Sequence, residues 1–400
     1  MFRAKRKPHL AWLHTHFLTN TGGTRFIFEV AIRLKKDFDL EIFVERTNLT
    51  WSNKFAREGI KVTPLLPLTS TNILYWLSLP FWLYKSHMAL KTKTAHADIV
   101  MSSMFPMNYL ANMLDKPHLQ ICYEPFAFFH DRHFVASFSL PKQIFIKLVA
   151  VLYRRLDFKG TLQATNILTP NEGVASQIRK VYGRAADGHT FIGVDTRLFI
   201  PTSDQKIKRL FPGKKLVMHS TDYTAIKGTD LLIQSLPYLA KKLKNFKVII
   251  TESVSDHNAK LPLINLAKNL EVDQYLHFTG QLTYEDLPKY YSVADVYAFS
   301  GNPASKAATS ASLSVLESLA CQTPAIRSPG TTDEVVDGKS GYIVDPRQKK
   351  KYGLKLAYLL THPALARRMG QWGRKYIQSH YTWNHVVKNI SQCLNTYVQK

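Results

Sequence analysis

The chain has 400 residues, 45% apolar and 12% aromatic, enough to build the cores of two or three ordinary domains and too apolar for a disordered polymer. Its formal net charge is +24, spread evenly: 26 Lys/Arg against 14 Asp/Glu in residues 1–200, and 27 against 15 in residues 201–400. Such spread basicity suits an anionic partner, an acidic membrane surface or nucleic acid, while Cys122, Cys321 and Cys393, far apart and in no CxxC or Cys/His pattern, speak for a reducing compartment and against a disulfide framework or a metal site.

Residues 1–8 are basic and run directly into the strand-like HLAWLHT, without the long apolar core of a cleavable signal. The loop NTGGTRF (Asn20 to Phe26) follows, then a helix predicted over Thr24–Lys36. Gly22 and Gly23 let the backbone approach a ligand, and the helix start offers free N–H groups suited to phosphate. Asp37-Phe38-Asp39 has the DxD form of a metal site but falls in a turn before the strand LEIFVE. His14 and His16 likewise lack a third ligand nearby. A helix near Ser52–Glu58 and the strand KVTPLL come next. The run Ile73–Lys93, ILYWLSLPFWLYKSHMALKTK, is too short to span a bilayer in its apolar part and is broken by Pro80, so no transmembrane helix is expected. Its Trp76 and Trp82, with Lys85, Lys91 and Lys93, suit a helix lying in a bilayer interface.

ADIVMSS and HLQICYE add two more strands, and the second runs into ICYEPFAFFHD (Ile121 to Asp131), where Tyr123, Glu124 and Pro125 sit at a strand end. Strand and helix patterns alternate throughout, which predicts βαβ units and a parallel sheet. After GVDTRLFIPTSD (Gly193 to Asp204) the alternation restarts: KLVMHS, a helix over Thr229–Lys242, FKVIIT, a helix over Leu261–Asn269, YLHFTG and DVYAFS. Lys227 and Gly228 stand just ahead of the first of these helices, where a lysine can stabilise negative charge on a diphosphate. The stretch ASLSVLESLACQTP leads from Ser312, Leu313 and Ser314 at a helix start to the carboxylate Glu317, then to a short strand at Ala325 and Ile326 and a Gly/Thr turn with Glu334. The terminal segment places Trp383, Val387, Ile390 and Leu394 at helical spacing.

These motifs, in this order, resemble the retaining glycosyltransferases of family 4, in the GT-B fold, over essentially the whole chain. The resemblance implies an α/β protein of two doubly wound Rossmann-like domains facing a cleft: residues 1–200 on the acceptor side, 201–379 binding the nucleotide sugar, and 380–400 a helix crossing back to the first domain. It implies that Glu317 binds the donor ribose and that Lys227 and the amides near Ser312, Leu313 and Ser314 hold the diphosphate. Gly280, Gln281 and Leu282 would lie near the base, with Gly22 and Gly23 closing on the phosphates. The chain departs from the family pattern at three places: Thr309 replaces the sugar-facing glutamate, Asp222 stands near an expected arginine, and Tyr123 stands for a histidine.

The reading is therefore retaining, metal-independent hexosyl transfer from a nucleoside-diphosphate sugar to a glycan or lipid-linked acceptor, with Lys227, Tyr123 and Glu124 as candidate catalytic residues. No cofactor, metal or nucleic-acid partner is expected. The expected location is cytoplasmic, peripheral on the inner membrane face, in cell-envelope polysaccharide synthesis. Two rivals remain: a degenerate GT-B protein that binds a sugar nucleotide or a partner without turnover, and a basic α/β protein of nucleic acid or membrane surfaces.

Overall fold

The structure, a computed structural model, describes residues 6–18, 22–66, 73–136, 138–224, 226–304 and 312–398. The chain divides into two units, Met1–Phe191 with Asn384–Lys400, and Ile192–Trp383.

The first unit is built on a sheet of β1 (His9–Phe17), β2 (Asp39–Thr47), β3 (Lys61–Pro64), β4 (Ile99–Ser102), β5 (His118–Ile121), β6 (Asn166–Thr169) and β7 (Gly188–His189). Every pairing is parallel and the order is β3-β2-β1-β4-β5-β6-β7. Parallel strands are covered on both faces, which is why they read as runs of apolar residues with little alternation. Trp12, Leu13, Ile42, Val44, Val100 and Met101 are accordingly buried. The expected first helix runs over Gly22–Leu34, and the segment Ile73–Lys93 forms two helices, Ile73–Leu77 and Leu79–Lys93, separated at Ser78 with Pro80 in the first turn of the second. A 23-residue helix, Leu140–Leu162, lies between β5 and β6 and was not anticipated. The terminal helix Trp383–Val398 belongs almost wholly to this unit: Asn389 Nδ2 donates to His189 O (3.2 Å) and Tyr397 OH to Asn166 Oδ1 (2.6 Å).

The second unit repeats the plan with β8 (Lys215–Thr221), β9 (Phe246–Glu252), β10 (Leu276–Phe278), β11 (Val296–Phe299), β12 (Ala325–Arg327) and β13 (Gly341–Ile343), in the order β10-β9-β8-β11-β12-β13 and again parallel. One apolar cluster joins Val217, Val248 and Ile250 to Leu232 and Leu236 of the helix Thr229–Ala240, and to Leu356 and Leu360 of the helix Lys349–Thr361. A second packs Met218, Tyr297 and Phe299 against Leu316 and Leu319 of the helix Leu313–Ala320. In each sheet the strand order reverses once, between β1 and β4 and between β8 and β11. A crevice outside the strand C-termini at such a reversal is where open α/β sheets bind ligands.

Candidate functional site

At the reversal in the second unit, β8 ends in Thr221. Asp222 Oδ1 then accepts from Thr224 N (3.0 Å) and Thr224 Oγ1 (2.6 Å), a local turn typical of aspartate. Asp222, standing where the resemblance expects an arginine, thus shapes this loop. Lys227 N donates back to Thr224 O (3.1 Å), and Gly228, at φ +61°, starts the helix. A Cβ on Gly228 would stand 1.8 Å from Ser300 O, and one on Gly301 would stand 2.6 Å from Ile226 O. Two backbones therefore touch across the ends of β8 and β11, and only glycine fits. Ser300 Oγ donates to Gly228 O (2.7 Å) and fastens the contact. This fixes half-buried Lys227 at the C-terminal edge of the sheet, beside the strand reversal, with no hydrogen bond or ion pair on its ammonium among the described residues.

Beneath the loop His219 is fully buried, its Nδ1 2.8 Å from Ala298 O and its Nε2 2.9 Å from Thr229 Oγ1. Burial pulls its pKa down to about 4, so the ring is neutral and serves as a hydrogen-bonded strut between β8, β11 and the helix start.

On the next strand over, Ser312 opens the helix Leu313–Ala320, its Oγ 2.9 Å from Ser314 Oγ. Its amide is directed at Glu334 Oε1 (3.4 Å). One amide near this helix start therefore already faces a carboxylate of the chain itself. Glu317 is buried one turn further on, and its Oε2 accepts from Tyr291 OH (3.0 Å), a phenol whose pKa burial and Glu317 together raise. Thr309, with Ala311 and the loop residue Asn20, lies outside the described residues.

Sequence reasoning missed Arg327. The last residue of β12, it is wholly buried and its Nη1 pairs with the wholly buried Glu334 and with Thr332 Oγ1. Arg327 Nε donates to Ser328 O (2.8 Å), and the guanidinium lies 5.6 Å from the Phe299 ring centroid. The only sign in the sequence was a cation closing an apolar strand that must be buried on both faces.

Gln281 and Leu282 follow β10. Gly280, at φ +73°, donates its amide to Glu252 Oε2 (2.8 Å) at the end of β9, and Gln281 Nε2 donates to Ser253 O (2.9 Å). Buried Glu252 also pairs with Lys260 (3.2 Å) and accepts from Tyr223 OH, which ties the loop after β10 to the loop after β8. The second unit thus gathers Lys227, Gln281, Leu282, Ser312, Leu313, Ser314 and Glu317 along the C-terminal edge of one sheet.

The remaining candidates belong to the first unit. Gly22 and Gly23 are exposed at the start of the helix that follows β1. Tyr123, beyond β5, packs edge-on against Phe26 of that helix, with ring centroids 5.2 Å apart. Burial raises its phenol well above the ordinary range, so it stays protonated and does not titrate near neutrality. Glu124 behaves differently: burial and then the charge of Asp131 push its carboxyl up to about 7. A carboxyl poised there can both give and take a proton near neutrality. The decoys resolve simply. Asp39 begins β2 and pairs with His9 (2.7 Å), at the edge of the sheet away from the strand C-termini. His14 is buried with its pKa lowered to about 3, and the described residues hold no group of three metal-ligating side chains.

Comparison with known proteins bears on the fold that carries these residues. Residues 202–376 match the family model of glycosyl transferases group 1. A glycosyltransferase from Rickettsia africae superposes with a TM-score of 0.75 over 99% of this chain and 100% of that one, at 16% identity. HepE from Anabaena, solved with UDP and glucose, gives 0.74 over 97% and 100%, at 13% identity. The chain has the GT-B fold. Among curated proteins, this GT-B chain is 28% identical over 219 residues to the GDP-mannose-dependent alpha-(1-6)-phosphatidylinositol monomannoside mannosyltransferase of Mycolicibacterium smegmatis, covering 53% of this chain and 56% of the relative. It is 25% identical over 186 residues to spore coat protein SA of Bacillus subtilis, covering 44% and 48%. The chain spans about half the length of the curated relatives it matches.

Proposed function

We propose that this GT-B protein transfers a hexose from a nucleoside-diphosphate sugar to a glycan or lipid-linked acceptor, with retention of configuration and without a metal. The observation that carries this is the glycine-only contact of Gly228 with Ser300, which sets Lys227, without a partner among the described residues, at the strand reversal of the unit that matches the glycosyl transferases group 1 model. Lys227 stabilises the leaving diphosphate, the amides of Leu313 and Ser314 assist it, and Glu317 accepts from the ribose hydroxyls in exchange for part of its contact with Tyr291. Gly280, Gln281 and Leu282 border the base. In the first unit Glu124 manages the acceptor proton, Tyr123 orients the acceptor, and Gly22 and Gly23 admit close approach of an anion. The site is cytoplasmic in this reading.

Because one relative is named for GDP-mannose and one structural neighbour was solved with UDP and glucose, GDP-mannose and UDP-glucose are the first donors to try. Thermal stabilisation and slow donor hydrolysis are measured for wild type, Lys227→Ala and Glu317→Ala. Wild type responds to one nucleotide class and both variants lose the response. If no UDP-, GDP- or ADP-sugar shifts the melting temperature, the reading fails. A second reading, binding without turnover, is favoured by the non-titrating Tyr123 and by Asp222 in place of a cation. Stabilisation without hydrolysis or transfer decides for it.

A further inference from the structure

Of the 20 large apolar side chains exposed among the described residues, 12 lie on two segments of the first unit, Ile73–Lys93 and Leu140–Leu162. Their arrangement is regular. Leu74, Leu77, Phe81, Tyr84 and Met88 fall within an arc of about 80° at about 100° per residue, taking the two short helices as one nearly continuous run. The core-facing residues Tyr75, Leu79, Leu83 and Leu90 occupy the opposite side. On the long helix, Leu140, Ile144, Leu148, Val151 and Leu152 form an exposed stripe, while Ile146, Val149 and Tyr153 face the core. A helix that only packs on a sheet needs one apolar face. These have two.

The two segments touch: Tyr153 OH donates to Trp76 O (2.7 Å), and the two rings lie 6.2 Å apart. Cations dominate both segments. Ile73–Lys93 contains no acid and carries Lys85, Lys91 and Lys93, and Leu140–Leu156 contains no acid and carries Lys142, Lys147, Arg154 and Arg155. Alongside the long helix runs a groove of about 1040 Å³ with Val135 and Ile146 among its apolar lining, and with Arg132, Lys147, Arg154 and Arg155 against a single acid, Asp131, around it. None of these four cations pairs with a carboxylate among the described residues.

We infer that this face of the first unit docks onto an anionic lipid bilayer, the outward stripes entering the acyl boundary and the rim cations meeting lipid phosphates. An interfacial element requires an apolar stripe beside lysines and arginines, without a spanning helix, and no helix of the described residues is long and apolar enough to span. A second copy of the chain is the poorer occupant. A two-fold contact would set the same cation-rich patch, with Asp131 the one acid against four cations in its groove, against itself, with like charges desolvated together. Nucleic acid would match the cations but would leave two apolar stripes in water.

The full-length protein is sedimented with phosphatidylcholine vesicles, with and without phosphatidylglycerol, in the absence of nucleotide sugar, so the outcome does not depend on the transfer proposed above. Wild type binds the mixed vesicles and not the neutral ones, and raising the salt releases it. Leu148→Ser/Val151→Ser/Leu152→Ser and, separately, Lys147→Glu/Arg154→Glu/Arg155→Glu each lower the partition coefficient about tenfold or more. All six positions are exposed, so melting temperatures stay at the wild-type value and a folding defect is distinguishable. Equal binding of wild type and both variants overturns the inference, as does absence of wild-type binding to mixed vesicles. So does a dimer in sedimentation velocity that the serine variant dissociates while vesicle binding is unchanged.

Discussion

Arg327 and Glu334 put opposite charges in a site with no solvent, and the consequence can be measured. Both residues are 0% exposed, and Glu334 also faces the Ser312 amide, so the pair braces the end of β12 against the start of the helix Leu313–Ala320. The bracing is incomplete: Arg327 Nη2 and Glu334 Oε2 find no hydrogen-bond partner among the described residues. Removing one charge strands the other, at a penalty of about 3–5 kcal/mol, a large part of the roughly 5–15 kcal/mol that holds a domain together. Glu334→Gln and Arg327→Met should each lose that much in urea titration, with unchanged m-values. The double variant Arg327→Met/Glu334→Leu removes both desolvated charges. What it forfeits is the acceptor for Ser312 N and the donors to Thr332 Oγ1 and Ser328 O, about 2–3 kcal/mol together. It should therefore sit within about 3 kcal/mol of wild type, far from the sum of the single losses. If the double variant loses as much as the two single ones added together, the pair is not coupled and the argument is wrong.

Further outcomes follow from other residues. Gly228→Ala should destabilise by about 2 kcal/mol or more and abolish any nucleotide-sugar response, because the new Cβ meets backbone that cannot move aside. Gly59→Ala, also at positive φ (+68°) but with open space around it, should lose only about 1 kcal/mol, and equal losses at both sites would refute the close-contact explanation. Burial lifts the Glu45 carboxyl to about 7 despite the hydrogen bond it accepts from Tyr75 OH (2.6 Å). An acid whose folded pKa is raised favours folding while protonated, so this contribution is lost as pH rises from about 4.5 through 7, by at most about 3 kcal/mol. Glu45→Gln should flatten that part of the melting-temperature profile, and an unchanged slope would count against it. The buried histidines act in the opposite sense. With pKa values lowered to about 3, 3 and 4, His14, His118 and His219 stabilise the fold fully above about 6.5, and that stability is lost as pH falls. His219→Gln should make acid unfolding less steep by about one proton, read from the pH dependence of urea midpoints.

The fold was legible because doubly wound sheets write themselves as alternating apolar strands and amphipathic helices. Lys227, Gly228 and Glu317 stood out as candidates because each is a polar or glycine position at a strand exit or helix start. Other features depend on what the sequence does not place side by side. The near-neutral pKa of Glu124 needs burial and the approach of Asp131, and the role of Asp222 appears only once its hydrogen bonds to Thr224 are seen. Arg327 looks like a strand exit until Glu334, seven residues on, folds back to it. The helix Leu140–Leu162 escaped for a different reason. Both of its faces are apolar, so the period that marks an amphipathic helix is cancelled.

Gly193 has a bearing on the second unit as a whole. A Cβ there would fall 2.7 Å from Trp383 N, and Val194 N donates to Tyr381 O (2.8 Å), so the first and last residues of this unit lie against each other. Topologically the unit is an insertion whose two ends are fastened at one point. The sequence that precedes it and the sequence that follows it are already neighbours there. Residues 192–383 can thus be excised as one piece, or reopened elsewhere with these ends joined by a short linker, without pulling apart any strand of their sheet.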